Sequence, residues 1–119
     1  MISNLIFLAI AILFVIYLFI RSKTTRNGIT EYIKAGALVI DVRSKQEFDQ
    51  GHFSKAVLIP IDQFEVRIKE VGADKQKPII VYCHAGSRAA VAETILKKNG
   101  FTKVINARNY DAMRKYDLK

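Results

Sequence analysis

One stretch of the chain reads Ile79-Ile80-Val81-Tyr82-Cys83-His84-Ala85-Gly86-Ser87-Arg88-Ala89-Ala90. Its first four residues are β-branched or aromatic, which is typical of a short buried strand. The only cysteine in the chain follows where that strand should end, and Arg88 stands where a helix should begin. The small residues between them predict a tight strand-to-helix loop.

This loop has the pattern of an anion-binding cradle. We expect the backbone N–H groups of residues 84–88 to turn inward, and the start of the following helix to add partial positive charge. Arg88 would add a permanent cation at the rim. Such a setting should favour the thiolate form of Cys83 and hold an anion built on its sulfur. The alternative is an inert cysteine that packs as a small hydrophobe.

The flanking sequence predicts the fold class. Apolar runs indicate strands, and amphipathic stretches indicate helices that begin at Thr30, at Asp62 and at the Ser44–Glu47 capping box. The predicted strands cover residues 37–42, 56–59, 79–82 and 101–105, and the predicted helices cover 30–35, 44–48, 62–71, 89–98 and 110–116. This alternation is typical of an α/β domain with a mostly parallel sheet and helices on both faces. Ligand sites of such sheets lie beyond the carboxyl ends of the strands, where Cys83 falls.

The N-terminal segment has a different composition. No charged residue occurs before position 21, and residues 5–20 form an unbroken apolar run. A helix of this length spans about 30 Å, enough for a membrane core. We therefore expect a transmembrane anchor at 1–21, a basic juxtamembrane linker at 22–27 and a domain at 28–119. A cleaved signal is less consistent with the sequence, because no basic residue precedes the run and no small-x-small site follows it; a buried soluble helix is the remaining alternative.

The flanking charges predict an orientation. Arg21, Lys23 and Arg26 follow the apolar run, so the positive-inside tendency places the domain in the cytoplasm of a bacterial cell, with the anchor in the inner membrane. The formal net charge is +8, and many basic residues lie near the C-terminus. Nucleic acid is not an expected partner, because no interleaving of basic and aromatic residues accompanies them.

The count of cysteine and histidine limits the possible chemistry. One cysteine excludes an intrachain disulfide framework, a Cys-x-x-Cys redox pair and a cysteine-rich zinc site. His52 and His84 add two further soft ligands, but their spacing fits no metal site. We therefore expect neither a metal nor an organic cofactor.

The loop from Cys83 to Arg88 resembles the active-site loop of the rhodanese (thiosulfate sulfurtransferase) family in its single-domain form. Other parts of the family pattern occur in the same order, among them an Asp-Val-Arg strand end and a Gly-His segment before an Ile-Pro pair. These matching segments are 39–43, 47–48, 51–53, 56–60, 99–101 and 104–106. The resemblance covers nearly all of the chain after the linker.

The resemblance implies an activity and roles for individual residues. Cys83 would carry a persulfide between a small anionic sulfur donor and a thiol acceptor, which could be a protein. The expected substrate-binding residues are His84, Ala85, Gly86, Ser87 and Arg88. Asp41 and Arg43 would brace the loop through hydrogen bonds or an ion pair, and His52 would be a structural turn residue.

The sequence departs from the family pattern after the last strand. The family commonly has Gly-Gly and then Trp, whereas this chain has Arg108, Asn109 and Met113. Asn tolerates positive φ better than most residues, so we expect the turn to be kept. Arg108 would project either over the loop mouth or into solvent.

Two other functions are compatible with the pattern. Cysteine phosphatases and arsenate reductases of related type have cradles one residue longer, which suit a tetrahedral phosphate. The four residues between Cys83 and Arg88 suit a single sulfur atom better. A non-catalytic persulfide carrier or binding module at the membrane is the second alternative.

Overall fold

The computed structural model describes residues 2–117, apart from the side chains of residues 22–27. Residue 1 of the predicted anchor and residues 118 and 119 of the predicted domain lie outside the described part. So do the side chains of Lys23 and Arg26, on which the predicted orientation depends. The elements are α1 (Ile2–Lys34), β1 (Leu38–Asp41), α2 (Lys45–Asp49), β2 (Val57–Leu58), β3 (Ile79–Cys83), α3 (Ser87–Lys98), β4 (Val104–Asn109) and α4 (Tyr110–Arg114). Short 3-10 turns cover Ile61–Gln63, Ile68–Val71 and Lys115–Asp117.

Within the described residues, the strands form one parallel sheet in the order β2-β1-β3-β4. β3 lies between β1 and β4, and all five of its residues are buried. A strand covered on both faces needs no polar side, which explains its continuous apolar sequence. The predicted α/β fold with a parallel sheet is confirmed.

The two faces of β3 belong to different halves of the core. Ile79, Val81 and Cys83 pack in the core on the α3 side of the sheet, and Ile80 and Tyr82 pack in the core on the side of α1 and α4. Successive residues of a strand point to opposite faces, so this division follows from the chain itself. It directs the Cys83 side chain toward the start of α3.

α1 is a single helix that continues through residues 22–27 into the domain. The predicted helix start at Thr30 is therefore wrong. Carbonyl groups of the preceding turn already accept the N–H groups at that point, so no N-cap is needed. The helix ends at Lys34, close to the predicted end, and Gly36 follows it with a φ of 78°.

The two halves of α1 have different surroundings. Ile2–Arg21 is long and apolar enough to cross a membrane and none of it is buried within the protein, although a signal sequence has the same properties. Further along, Ile29 is buried against the sheet. A Cβ atom at Gly28 would lie 2.9 Å from Cδ1 of Ile105, so this glycine allows α1 to approach β4 closely.

The segment after β2 differs from the predicted helix at 62–71. It forms two 3-10 turns, and Pro60 rather than Asp62 precedes the first. The Ile61 N–H donates to the Val42 carbonyl, and the Arg67 guanidinium donates to the Leu58 carbonyl. We attribute the tighter winding to these tertiary contacts, which override the helical pattern of the local sequence.

The last strand also differs from its predicted range, 101–105. β4 begins at Val104 and extends to Asn109, and Phe101 is buried ahead of it. The sequence did not predict that β4 continues to Asn109, because the residues at its end are polar and show no apolar periodicity. As a result, Arg108 lies beside β3 rather than in a free loop: it pairs with Tyr82.

Candidate active site

Cys83 lies at the carboxyl end of β3 with its side chain buried. Its Sγ accepts hydrogen bonds from the backbone N–H of Gly86 at 2.9 Å and of Ala89 at 3.4 Å. The predicted inward-turned amides are thus present at residue 86, and a further donor comes from residue 89, outside the expected range. The Gly86 amide lies just before α3 and the Ala89 amide in its first turn, where the helix dipole also favours negative charge on the sulfur.

The loop that surrounds the sulfur is built on Gly86. This residue has a φ of 97°, a left-handed conformation that glycine adopts without strain, and it directly precedes α3. Gly86 is buried, whereas the side chains of His84, Ala85 and Ser87 are exposed. Of the predicted substrate-binding residues, Gly86 is the one whose backbone N–H donates to the sulfur, and the side chains of His84, Ala85 and Ser87 lie at the surface of the loop.

Arg88 makes a bidentate ion pair with Glu47. Its Nη1 and Nη2 lie 2.7 and 3.0 Å from the two carboxylate oxygens, and both side chains are about one third exposed. The same carboxylate accepts the Ser44 N–H in the predicted capping box, which the structure confirms. Arg88 thus joins the start of α3 to the start of α2. Its role in binding substrate stays a prediction.

Glu47→Gln should remove a pH-dependent part of the stability. The Arg88 hydrogen bonds lower the pKa of Glu47 to about 2, from an ordinary value near 4.5. A lowered pKa means stabilisation that is present above pH 4.5 and lost as the pH falls toward 2. In the variant, we expect unfolding to depend less on pH in this window, and stability at pH 7 to fall by about 1 kcal/mol.

Thermal unfolding of the full chain in detergent, followed by tyrosine absorbance between pH 2 and pH 7, measures this effect. Glu93→Gln is the matched control, since Glu93 pairs with the more exposed Lys97. Equal pH profiles for Glu47→Gln and the unaltered protein would contradict the prediction.

Asp41 and Arg43 form the predicted ion pair at the end of β1. Asp41 is fully buried, and Arg43 Nη2 lies 2.6 Å from its Oδ2. The guanidinium also donates to the Gly51 carbonyl at 2.7 Å and lies over the rings of Tyr82 and Tyr110. The carboxylate raises the pKa of Arg43 further. The pair connects β1 to the 51–53 segment and to α4, and among the described residues no hydrogen bond joins it directly to the loop at 84–88.

His52 has contacts consistent with its expected structural role. Its ring stacks on Phe48 with centroids 3.6 Å apart, and Nδ1 lies 2.9 Å from the Phe48 carbonyl oxygen. In the described part of the chain, no three His, Cys, Asp or Glu side chains converge on a site for a metal ion.

A buried cysteine therefore lies at the end of a parallel strand, with two backbone amides directed at its sulfur. The family model described as a rhodanese-like domain matches residues 27–109. The chain belongs to the rhodanese-like domain family. This confirms the resemblance seen in the sequence and supports a sulfurtransferase-type or related activity in general.

Relatives of this rhodanese-like domain have different lengths and names. Uncharacterized protein YqhL of Bacillus subtilis (strain 168) is 36% identical over 111 residues, which cover 87% of this chain and 86% of YqhL. The tRNA uridine(34) hydroxylase of Escherichia coli is 40% identical over 92 residues, which cover 66% of this chain but only 26% of the hydroxylase. A solved rhodanese with anions from E. coli superposes with a TM-score of 0.60 at 34% identity, over 64% of this chain and 89% of that one.

The departures from the usual rhodanese pattern have structural explanations. The positive φ of 78° falls on Arg108, not on Asn109, so the expectation about Asn109 is wrong. Asn109 instead caps α4 by accepting the Ala112 N–H at 2.8 Å. Met113 is fully buried in the core beneath α1 and α4. The turn is kept, with arginine in the left-handed conformation.

Three groups of the rhodanese-like site were not assigned to it from the sequence. From the sequence, Glu47 was expected only to cap a helix, and no role was expected for Asn106. Asn106 donates to the Gly86 carbonyl at 3.1 Å and accepts the Arg108 N–H at 2.8 Å. The Arg108 carbonyl oxygen in turn lies 3.5 Å from Cys83 Sγ. Asn106 therefore ties the end of β4 to the loop, a role that only the parallel register of β3 and β4 makes visible.

Proposed function

We propose that this protein is a sulfurtransferase, which moves a sulfane sulfur from a donor such as thiosulfate to a thiophilic acceptor through a persulfide on Cys83. The observation that supports this most is the pair of amides, from Gly86 and Ala89, that donate to Sγ. Amides in this position stabilise a thiolate, which is the reactive form of cysteine. They would equally stabilise the charge of a persulfide.

In the first step, the Cys83 thiolate attacks the outer sulfur of thiosulfate. A new S–S bond forms, the S–S bond of the donor breaks, and sulfite leaves with that electron pair. In the second step, a thiolate or cyanide attacks the outer sulfur of the persulfide. Cys83 leaves as a thiolate, so the protein returns to its starting state. The two steps predict ping-pong kinetics, and no metal or organic cofactor takes part.

The contact between Cys83 and Arg108 changes along this route. The neutral thiol can donate to the Arg108 carbonyl oxygen, 3.5 Å away. A thiolate has no proton for that oxygen, so ionisation weakens the contact on this side of the sulfur. The Arg108 carbonyl therefore borders the sulfur on the side of β4 in both states.

Treatment of the full chain with thiosulfate should add one sulfur atom to Cys83, visible in the mass of the peptide that contains it. Cyanide should remove the atom as thiocyanate. Cys83 is the only cysteine, so the position of the adduct is unambiguous. Absence of the adduct from folded protein would favour a binding module, and an adduct that leaves only to a partner protein would favour a persulfide carrier.

The apolar segment Ile2–Arg21 supports a location at a membrane. In this proposal the segment is a single anchor and the rhodanese-like domain faces the cytoplasm of a bacterial cell, since basic residues follow the span. A protein acceptor of sulfur could then be reached at the membrane surface.

A further inference from the structure

We propose that Arg108 is the residue that selects anionic sulfur donors, by binding the oxyanion end of the donor at the mouth of the Cys83 loop. This inference rests on the proposed sulfurtransferase function. It assigns to Arg108 a role that the pattern of the loop alone assigns to Arg88.

The backbone of Arg108 lies beside the reactive sulfur. Its carbonyl oxygen is 3.5 Å from Cys83 Sγ, and its N–H is held by the Asn106 side chain. The root of its side chain packs over the loop, since Cβ and Cγ lie 3.5 Å from the point where a Cβ of Gly86 would stand. A donor that reaches the sulfur from the side of β4 therefore passes Arg108.

The other two arginines near the site are already engaged. Arg88 is held by both oxygens of Glu47, and Arg43 by the buried Asp41. Arg108 is exposed, and no hydrogen bond or ion pair joins its guanidinium to another residue in the described part of the chain. It is therefore the arginine at this loop that can offer its charge to a ligand without first breaking an ion pair.

The conformation of Arg108 is unfavourable for a residue with a side chain. Its φ of 78° is one that glycine adopts freely and arginine adopts at a cost in free energy. Such a cost is compatible with a function of the side chain itself. A guanidinium can donate two parallel hydrogen bonds to an oxyanion, so the sulfonate end of thiosulfate is a suitable ligand.

Thiosulfate binding to the full chain in detergent, measured by calorimetry in a Cys83→Ser background, tests this inference without requiring sulfur transfer. Adding Arg108→Gly should weaken binding about tenfold, because the charged hydrogen bonds are lost. Glycine is the informative replacement, since it keeps the positive φ without strain. Lys103→Ala is the matched control: Lys103 is exposed at the other end of β4 and its loss changes the net charge equally.

Equal affinities with and without Arg108→Gly would overturn the inference, as would an equal loss with Lys103→Ala. In the presence of Cys83, Arg108→Gly should lower the rate from thiosulfate more than the rate from an uncharged organic trisulfide. An equal loss with both donors would show a structural role instead. Failure of the proposed function has a different signature, namely no persulfide on Cys83 with thiosulfate binding retained.

Discussion

Cys83→Ser should abolish sulfur transfer, lowering the rate of thiocyanate formation from thiosulfate and cyanide by more than about 10³-fold. A serine hydroxyl stays protonated where a thiol ionises, and an oxygen cannot carry the sulfane sulfur in a persulfide. The two amides of Gly86 and Ala89 remain in the variant. They can still bind an anion, but the covalent route is closed.

Serine is close to cysteine in size, so the variant should keep the fold. Its unfolding temperature in detergent, followed by tyrosine absorbance, serves as the control and should lie near that of the unaltered protein. Residual transfer above one tenth of the original rate in folded Cys83→Ser would show that the sulfur travels by another route. The chain has no other cysteine to supply one.

Arg43→Ala should lower the free energy of unfolding by about 3–5 kcal/mol, because it leaves the carboxylate of Asp41 buried without its partner. The variant also loses the hydrogen bond to the Gly51 carbonyl and the contact with the Tyr82 ring. This is a large part of the stability of a small domain. Arg43→Lys keeps the charge but not the bidentate geometry, so we expect an intermediate loss.

Chemical denaturation of the full chain, with tyrosine fluorescence as the signal, measures these losses, since the chain has no tryptophan. Lys45→Ala provides the comparison. Lys45 pairs with Asp49 on the surface, and its loss should change stability by less than about 1 kcal/mol. An effect of Arg43→Ala no larger than that of Lys45→Ala would mean that the buried pair contributes little beyond packing.

The parts of the site that local sequence determines were predicted correctly. The apolar run of β3, the cysteine at its end and the helix after Gly86 follow from residues that are neighbours in the chain. The capping box of Ser44 and Glu47 is equally local. The ion pair of Asp41 and Arg43 was expected from the family resemblance, and its burial is a finding of the structure.

The parts of the site that long-range contacts determine were not predicted from the sequence. Glu47 and Arg88 are 41 residues apart, and only the arrangement of α2 and α3 brings them together. At Thr30 the expected helix start was not needed, because α1 already runs through that residue; at Asp62 tertiary contacts overrode the helical pattern of the local sequence. The end of β4 is polar, so its hydropathy could not decide between the two expected positions of Arg108, over the loop mouth or in solvent.

The unbroken course of α1 has a mechanical consequence. Gly28 packs beside the second residue of β4, and the helix ends at Lys34, shortly before β1, so the C-terminal part of α1 is held against the sheet. If Ile2–Arg21 lay in a bilayer, the same helix would continue into the domain, and no flexible linker would separate the membrane from the sheet. In the proposed membrane location, the depth and tilt of the anchor would then set the position of the whole domain relative to the headgroups, and reaction partners would have to reach it close to the bilayer surface.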